Sequence, residues 1–393
     1  MNTNQTRQAI KRAKNELGAA YPERSDFIEA IFLALLTKEH VFVLGPPGTA
    51  KSALASTVGR RVLQGVEYFE VLLNSYTSDQ SVLGPVNIKS LRDEGVLRRN
   101  IKGYLPTAHI AMLDEIGRLP PGAGAPLLSI LNERKVHEVH GDQSWIDAPL
   151  WTAICASNSA LTPEEIQALY DRLLLRVVVQ PIQDPDTLEG LLMSGGEGGP
   201  LTQIDIADFE AAQAAVQEVE LTSEMAGVVV AFKEELAKHG ITASDRRWVK
   251  SIAVLKANAW LEGRTEVSSE DMPCLAHVMW STEDQRALVR TASRSAVHPL
   301  MRELVELEDS LNKALLEHGK SSKANDANTS SAARGTKFGE TISKIGASLS
   351  AAEQLLNKFV AAGHDPTSVN NLIDTIKQKQ GELISAFTQD GAR

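Results

Sequence analysis

The sequence has few cysteines and lacks the residue spacings of a protein metal site. Among its 393 residues there are only two cysteines, Cys155 and Cys274, and they lie far apart. The nine histidines are scattered and form no HxxxH-type pair. These features exclude a disulfide framework and argue against a metal site built only from protein side chains. We expect two buried thiols in a cytoplasmic protein.

Long apolar runs are also absent. The longest apolar stretch near the N-terminus, residues 27–36, is interrupted by Glu29 and is too short to span a bilayer. Residues 1–20 are polar and mixed in charge, unlike the apolar core of a signal peptide. We therefore expect no membrane-spanning segment.

Basic residues are fewer than acidic ones. Lysine and arginine number 40 against 50 aspartate and glutamate residues, which gives a formal net charge of −10. A general nucleic-acid binder normally carries a basic face, so this balance argues against nucleic acid as a partner. The best candidate for a local basic patch is Arg98, Arg99 and Lys102, for which a solvated loop is the simpler interpretation.

The first half of the chain alternates short apolar runs with amphipathic segments. Helices are expected at 5–17, 25–37 and 52–64, with Ser25 as a plausible cap of the second. Short apolar strands that alternate with helices are typical of an α/β fold with a buried parallel sheet. The expected strands are 41–44, 68–73, 109–113, 151–156 and 176–180.

The strand signals disappear after about residue 185, and the chain becomes helical. From residue 300 the apolar residues keep a 4-3 spacing, which predicts helices that pack as a bundle or coiled coil. Residues 318–336 are rich in Ser, Ala, Asn, Lys and Gly, as in a flexible linker. We predict an α/β domain over 1–185, an all-α domain over 186–293 and a helical bundle over 294–393. The helices expected in the second domain are 206–218, 222–239, 245–262 and 269–291.

The strongest chemical signal lies between the first expected strand and the helix after it. Its glycine-rich loop lets backbone N–H groups and a helix N-terminus converge on a polyphosphate, as in a P-loop that binds ATP. Lys51 is expected at the β- and γ-phosphates and Ser52 as a Mg²⁺ ligand. The usual pattern has Gly where this chain has Ala50, and a methyl group is tolerable there if φ is negative. The loop reads Gly45, Pro46, Pro47, Gly48, Thr49, Ala50, Lys51 and Ser52.

Two other expected strands end in polar residues. Asp114 and Glu115 directly follow the apolar run 109–113. Asp114 is suited to hold Mg²⁺ through water, and Glu115 to orient and activate an attacking water. The run 151–156 delivers Ser157 and Asn158, whose amide could reach the γ-phosphate or that water. Ser-Asn is also common loop chemistry, so this third signal depends on the other two.

The order of these motifs resembles the MoxR family of AAA+ ATPases. Residues 76–120 are most similar to the RavA branch of that family, and the resemblance covers roughly residues 20–290. It implies an AAA+ P-loop domain and an α-helical lid. Its remaining motifs are the segments Tyr170-Asp171-Arg172 and Ser244-Asp245-Arg246-Arg247.

The resemblance also implies roles for individual residues. Asn158 matches the sensor 1 position. Arg172 matches the arginine finger, which stabilises transition-state charge in a neighbouring subunit, with Arg176 as a near alternative. Arg246 matches sensor 2, with Arg247 as the competitor.

Two segments match insertions that would face the ring pore or a partner. They are 95–104 and the hairpin 134–145. The RavA branch also carries a β-rich insertion in its C-terminal helices. Here the linker 318–336 occupies that place and is too short to form a domain.

The resemblance implies an ATP-driven ring, expected to be a hexamer, that remodels protein clients with a partner containing a von Willebrand A domain. Two alternatives from other classes remain open at this stage. One is an ATP-gated assembly scaffold with incidental turnover. The other is a motor that acts on nucleic acid, which the acidic balance disfavours.

Overall fold

The computed structural model divides the chain into two compact units, Met1–Val289 and Arg290–Arg393, which are described separately. The predicted boundary near residue 185 lies within the first unit and stays a prediction. The residues that the structure describes are 2–118, 121–140, 143–159, 172–194, 199–296, 300, 303–304, 307–308, 310–311, 313–315, 331–361 and 366–390.

Two helices precede the sheet. Helix α1 spans Thr3–Ala20, and its start is fixed by a capping box between Asn2 and Gln5. Helix α2 spans Ser25–Thr37, as predicted, but its N-cap is Arg24 and it has no side-chain cap, so the expected capping by Ser25 is wrong. Most of the residues of α2 are apolar and buried, which identifies it as a core helix.

Five parallel strands form the central sheet: β1 Val41–Leu44, β3 Tyr68–Leu72, β4 Ile110–Asp114, β7 Thr152–Ser157 and β8 Leu175–Val178. Their order across the sheet is β3-β4-β7-β1-β8. The predicted strands are confirmed, with ends shifted by at most two residues. Strand β1 is buried along its whole length because β7 and β8 flank it and helices cover the sheet.

Four other strands form two separate pairs. Strand β2, Leu63–Gln64, pairs in parallel with β9, Ile204–Asp205, so one short strand does follow residue 185. Strands β5, Lys135–His140, and β6, Gln143–Asp147, form the predicted antiparallel hairpin. The expected insertion at 95–104 forms no hairpin, and its residue Arg99 makes an isolated bridge to Val86.

The helices between the strands are short. The helix expected at 52–64 is α3, Lys51–Thr57, and it continues as a π-helical turn over Val58–Val62. The helices that follow are α4 Asp79–Leu83, α5 Ile88–Glu94 and α6 Pro121–Glu133.

The rest of the first unit is helical. The single helix expected at 269–291 is wrong, because a 3₁₀ helix over Ser269–His277 is followed by non-helical residues 278–282. Pro273 within this stretch has no N–H to donate, which disfavours a continuous α-helix. The α-helices that begin in this unit after residue 184 are Pro185–Ser194, Ile206–Gln217, Ser223–Lys238, Asp245–Leu261 and Glu283–Ser295.

The second unit is a set of helices around one apolar cluster. The described residues between 300 and 315 are helical, and longer helices span Ser331–Ala361 and Thr367–Asp390. The linker prediction is wrong for 331–336, which begin a helix, and its residues 318–330 lie outside the described part of the chain. The 4-3 spacing is confirmed by the core, which contains Leu304, Leu311, Ile345, Ala352, Leu355, Phe359, Val369, Leu372, Ile373 and Ile376.

Both cysteines are buried and free, as expected, and burial raises the pKa of each thiol. Among the described residues, no three His, Cys, Asp or Glu side chains are grouped as metal ligands. In the same part of the chain, every helix is too short or too polar to cross a membrane.

A buried histidine lies at the edge of the sheet where the strands begin. The Ala153 N–H donates to Nδ1 of His40 at 2.9 Å, so the imidazole proton lies on Nε2, which faces the Leu131 carbonyl at 2.8 Å. Arg134 donates to the same carbonyl and places Nη1 2.6 Å from Nε2 of His40. Burial, and secondarily the Arg134 charge, hold the pKa of His40 well below its usual value.

We expect this histidine to make folding sensitive to acid. His40 is neutral in the folded protein but binds a proton on unfolding, so its contribution to stability is present above about pH 6.5 and is lost as the pH falls. Between pH 6.5 and 5.5 the free energy of unfolding of the wild type should fall by about 1 kcal/mol more than that of His40→Gln. Urea unfolding of both proteins at each pH measures the difference. Equal losses would show that the pKa of His40 is the same in the folded and unfolded states, which would contradict the prediction.

Candidate functional site

The loop after β1 lies at the edge of the sheet where the parallel strands end. The Gly45 N–H donates to the Ser157 carbonyl at 3.1 Å, which ties the loop to the end of β7. A Cβ atom at Gly45 would lie 2.3 Å from the Val179 carbonyl oxygen, so only glycine fits there. Gly48 has φ +80°, a conformation that also favours glycine. The chain therefore passes tightly between β7 and β8 and enters α3.

Ala50 is the departure from the expected loop conformation. Its φ is +63° and its ψ is 23°, so the negative φ that would accommodate the methyl group without strain is not found. The left-handed conformation costs a non-glycine residue about 1–2 kcal/mol. Ala50 is the N-cap of α3, where the loop turns into the helix. Backbone strain is therefore stored directly beside Lys51.

Lys51 is almost fully buried, with 6% of its surface exposed. Its ammonium group donates to the carbonyls of Gly45 at 2.7 Å and Pro46 at 2.9 Å and to Oδ1 of Asn158 at 2.8 Å. These three bonds use all three of its donors. Burial lowers its pKa, while the nearby carboxylates of Asp114 and Glu115 act in the opposite direction.

The side chains of Ser52 and Asp114 are joined by a hydrogen bond between the serine hydroxyl and a carboxylate oxygen. The Ser52 hydroxyl donates to Oδ2 of Asp114 at 2.8 Å, and the other carboxylate oxygen accepts the Glu115 N–H at 2.9 Å. Hydroxyl and carboxylate oxygens are hard ligands of the kind that Mg²⁺ prefers. The donor set therefore fits the predicted magnesium ion.

Glu115 and Asn158 are in direct contact. The amide nitrogen of Asn158 donates to Oε1 of Glu115, and the amide oxygen of Asn158 accepts a hydrogen bond from Lys51. Glu115 has φ +56°, which is a second strained position beside the loop. The structure thus brings together five of the seven side chains predicted to carry the chemistry, and Arg172 and Arg246 are not among them. The five are Lys51, Ser52, Asp114, Glu115 and Asn158.

Two arginines near this cluster were not found from the sequence. The Arg118 guanidinium forms an ion pair with Oε2 of Glu115, with Nε 3.6 Å away. Its spacing of three residues from Glu115 is the signal that could have found it. Arg24 donates to the Thr49 carbonyl at 3.0 Å and so supports the loop from the α1–α2 connection. Burial lowers the pKa of Arg24, and nothing in its sequence context indicates this contact.

The two candidate finger arginines have different environments. Arg176 lies within β8 with 2% of its surface exposed, and its guanidinium donates to the Trp280 carbonyl of the same chain. A finger must reach another subunit, so the burial of Arg176 within its own chain favours Arg172, and the assignment of the finger stays a prediction. Arg172 is half-buried and lies three residues before β8. Its neighbours 160–171, including Tyr170 and Asp171 of the predicted motif, lie outside the described residues.

Arg172 lies near the edge of the sheet where the strands begin, opposite the edge from which the glycine-rich loop of the same chain emerges. Leu175, the first residue of β8, pairs with Val41, the first residue of β1, whereas the loop follows Leu44. At about 3.3 Å per strand residue, the beginning of β8 is roughly 10 Å from the edge where the loop starts. Arg172 is therefore separated from Lys51 of the same chain by the length of the strands.

Arg246 and Arg247 also differ in their surroundings. Arg247 is buried and donates to the carbonyls of Leu173 and Leu174, so it holds its own helix against the chain before β8. Arg246 is exposed and donates to Oδ1 of Asn132 at 2.5 Å. Asn132 lies at the end of α6, next to the residues that contact His40, so Arg246 too is at the edge where the strands begin.

Two of the three residues of the candidate basic patch, Arg98 and Arg99, are in ion pairs. Arg99 is buried and pairs with Asp79 at 2.6 Å, and Arg98 pairs with Glu94 at 3.2 Å. Their charges are balanced within the segment that connects β3 and β4. This pairing weakens the nucleic-acid alternative further.

Residues 8–219 match a protein family described as the MoxR domain in the MoxR-vWA-beta-propeller ternary systems. Residues 224–292 match the family described as the AAA lid domain.

Similar proteins include two uncharacterized proteins of Methanocaldococcus jannaschii. One is 35% identical over 280 residues, which is 71% of this chain and 72% of that protein. The other is 34% identical over 276 residues, which is 70% of this chain and 72% of that protein. A structural protein of Acidianus two-tailed virus is 30% identical over 168 residues, which is 41% of this chain and 26% of that protein.

A crystal structure of a candidate ATPase from Cytophaga hutchinsonii has the same fold, with a TM-score of 0.57. It is 15% identical in sequence, and the similarity covers 74% of this chain and 95% of that one.

Proposed function

Because the chain belongs to the MoxR family of AAA+ ATPases, we propose that it binds ATP with Mg²⁺ and hydrolyses it in an assembly of identical subunits. Water attacks the γ-phosphorus, the bond to the oxygen that bridges the β- and γ-phosphates breaks, and ADP and phosphate are released. The observation that carries the proposal is the contact of Lys51 and Glu115 with opposite ends of the Asn158 amide, beside the Ser52–Asp114 pair.

Each residue of this cluster has a separate role. Lys51 binds the β- and γ-phosphates, and Asn158 binds the γ-phosphate or the attacking water. Glu115 orients that water and accepts its proton. Ser52 and Asp114 would hold Mg²⁺, which neutralises phosphate charge when bound.

The positions of Arg172 and Arg246 support hydrolysis between subunits. Both lie at the edge of the sheet where the strands begin, whereas Lys51 lies at the edge where they end. An arginine at that edge is far from the nucleotide bound by its own subunit. It therefore acts more readily on the nucleotide that a neighbouring subunit binds. We propose a ring with Arg172 as the finger and Arg246 as sensor 2, and a hexamer as its stoichiometry.

The substrates of the motor are proposed to be proteins. The matched family is named after systems that combine MoxR with vWA and beta-propeller components. We propose a partner with a von Willebrand A domain and clients that the ring remodels or helps to assemble. Residues 76–120 support a relationship with the RavA branch.

Removal of Mg²⁺ tests the hydrolytic core of this proposal. We expect the purified chain to release phosphate from ATP with Mg²⁺ present and to fall to background with excess EDTA, because Ser52 and Asp114 then hold no metal. Lys51→Ala, purified identically, should stay at background and so reports any contaminating ATPase. Phosphate release that is unchanged by EDTA, or absent from the wild type at every protein concentration, would contradict the proposal.

A further inference from the structure

We propose that Arg118 is a positioning residue that holds the Glu115 carboxylate in place once nucleotide has engaged Lys51 and Asn158. The inference rests on the proposed ATP hydrolysis and adds a residue to it. Arg118 ends the short 3₁₀ turn Ile116–Arg118, and its backbone N–H donates to the Glu115 carbonyl at 2.8 Å. The turn thereby places the guanidinium beside Oε2 of Glu115.

The argument starts from the donors of Lys51. All three N–H bonds of its ammonium group point at oxygen atoms of the protein. A phosphate oxygen that binds Lys51 must therefore replace at least one of them. The carbonyls of Gly45 and Pro46 are fixed in the backbone of the loop, whereas Oδ1 of Asn158 is on a side chain that can rotate. Of the three acceptors of Lys51, Asn158 is therefore the one that phosphate replaces most easily.

Rotation of Asn158 changes the surroundings of Glu115. Phosphate oxygens only accept hydrogen bonds, so an amide that faces them must present its nitrogen. That nitrogen now donates to Oε1 of Glu115. When the amide turns toward phosphate, Glu115 loses this donor. The contact of Arg118 with Oε2 is on the other carboxylate oxygen and does not depend on Asn158.

Glu115 needs such support because its backbone is strained. Its φ of +56° is unfavourable for a residue with a Cβ atom, so the conformation must be held by contacts. The carboxylate must also keep its orientation toward water for proton transfer. The Arg118 side chain is 68% exposed, so solvent and salt screen its charge. The expected effect is accordingly modest, about 3–5-fold in rate.

The kinetic test compares Arg118→Gln with Arg118→Lys. We expect kcat to fall about 3–5-fold in Arg118→Gln with KM unchanged, and to recover partly in Arg118→Lys, which restores the charge. The difference from wild type should shrink as salt is raised, since the ion pair is exposed. Arg92→Gln is the matched control, because Arg92 is also an exposed arginine paired with a neighbouring carboxylate, Asp93. Its kcat should equal that of the wild type.

A second readout does not depend on turnover. With a non-hydrolysable ATP analogue and Mg²⁺ bound, amide hydrogen exchange in the peptide that carries Leu113 to Arg118 should be faster in Arg118→Gln than in wild type or Arg92→Gln. Equal kcat and equal exchange would overturn the inference, and so would a raised kcat, which would make Arg118 a restraint on Glu115. Failure of the proposed function is a different result, because the wild type itself would then release no phosphate.

Discussion

Arg172→Ala should lower the rate of ATP hydrolysis about 10³–10⁵-fold while leaving assembly and nucleotide binding intact. The reason is that an arginine finger contributes little to the ground state but neutralises charge that develops on the transferring phosphoryl group. Phosphate release measured against protein concentration, with the mass of the assembly determined in parallel, tests this result. In the wild type, the specific activity should rise as subunits assemble.

A mixing experiment shows whether Arg172 acts between subunits. Arg172→Ala retains the loop residues, and Lys51→Ala retains the finger, so each protein alone should be inactive. In a ring mixed at random in equal amounts, about one interface in four joins an intact Lys51 to an intact Arg172, and activity should return to a corresponding fraction. A mixture that co-assembles but stays inactive would contradict a shared site. Full activity of Arg172→Ala alone would contradict its assignment as the finger.

Glu115→Gln should lower kcat about 10²–10⁴-fold, because a neutral amide cannot accept the proton of the attacking water. Nucleotide affinity should be retained, since Lys51, Ser52 and Asp114 are unchanged and the glutamine oxygen can still accept from Asn158. Single-turnover hydrolysis and the affinity for a fluorescent ATP analogue measure the two properties. Loss of binding together with turnover would show that Glu115 supports the site rather than the chemistry.

The same substitution separates a motor from an assembly scaffold. A scaffold needs nucleotide binding to assemble, so Glu115→Gln would keep its cellular role. A motor needs repeated hydrolysis and would lose it. We expect loss of the cellular role in a complementation assay, with wild type and Arg92→Gln both active.

Much of the sheet could be predicted because its signals are local. Four-to-six-residue apolar runs such as Val41–Leu44 are too short for helices and end at glycine or polar residues. The site cluster followed from the same signals, since the carboxyl ends of parallel strands meet at one edge. The prediction of one continuous helix over 269–291 also failed for a local reason. The helix expected at 269–291 has helical periodicity, but Pro273 and the buried segment after it interrupt the hydrogen-bond ladder.

The sequence by itself determined the strands, the glycine-rich loop after β1 and the choice of Lys51, Asp114 and Glu115 as candidate site residues, because each depends on residues close together in the chain. Only the tertiary structure decided that Arg176 is enclosed by its own chain and that Arg246 lies away from the loop. Burial and the edge on which a side chain lies depend on contacts between residues far apart in sequence. Local patterns carry no information about those contacts.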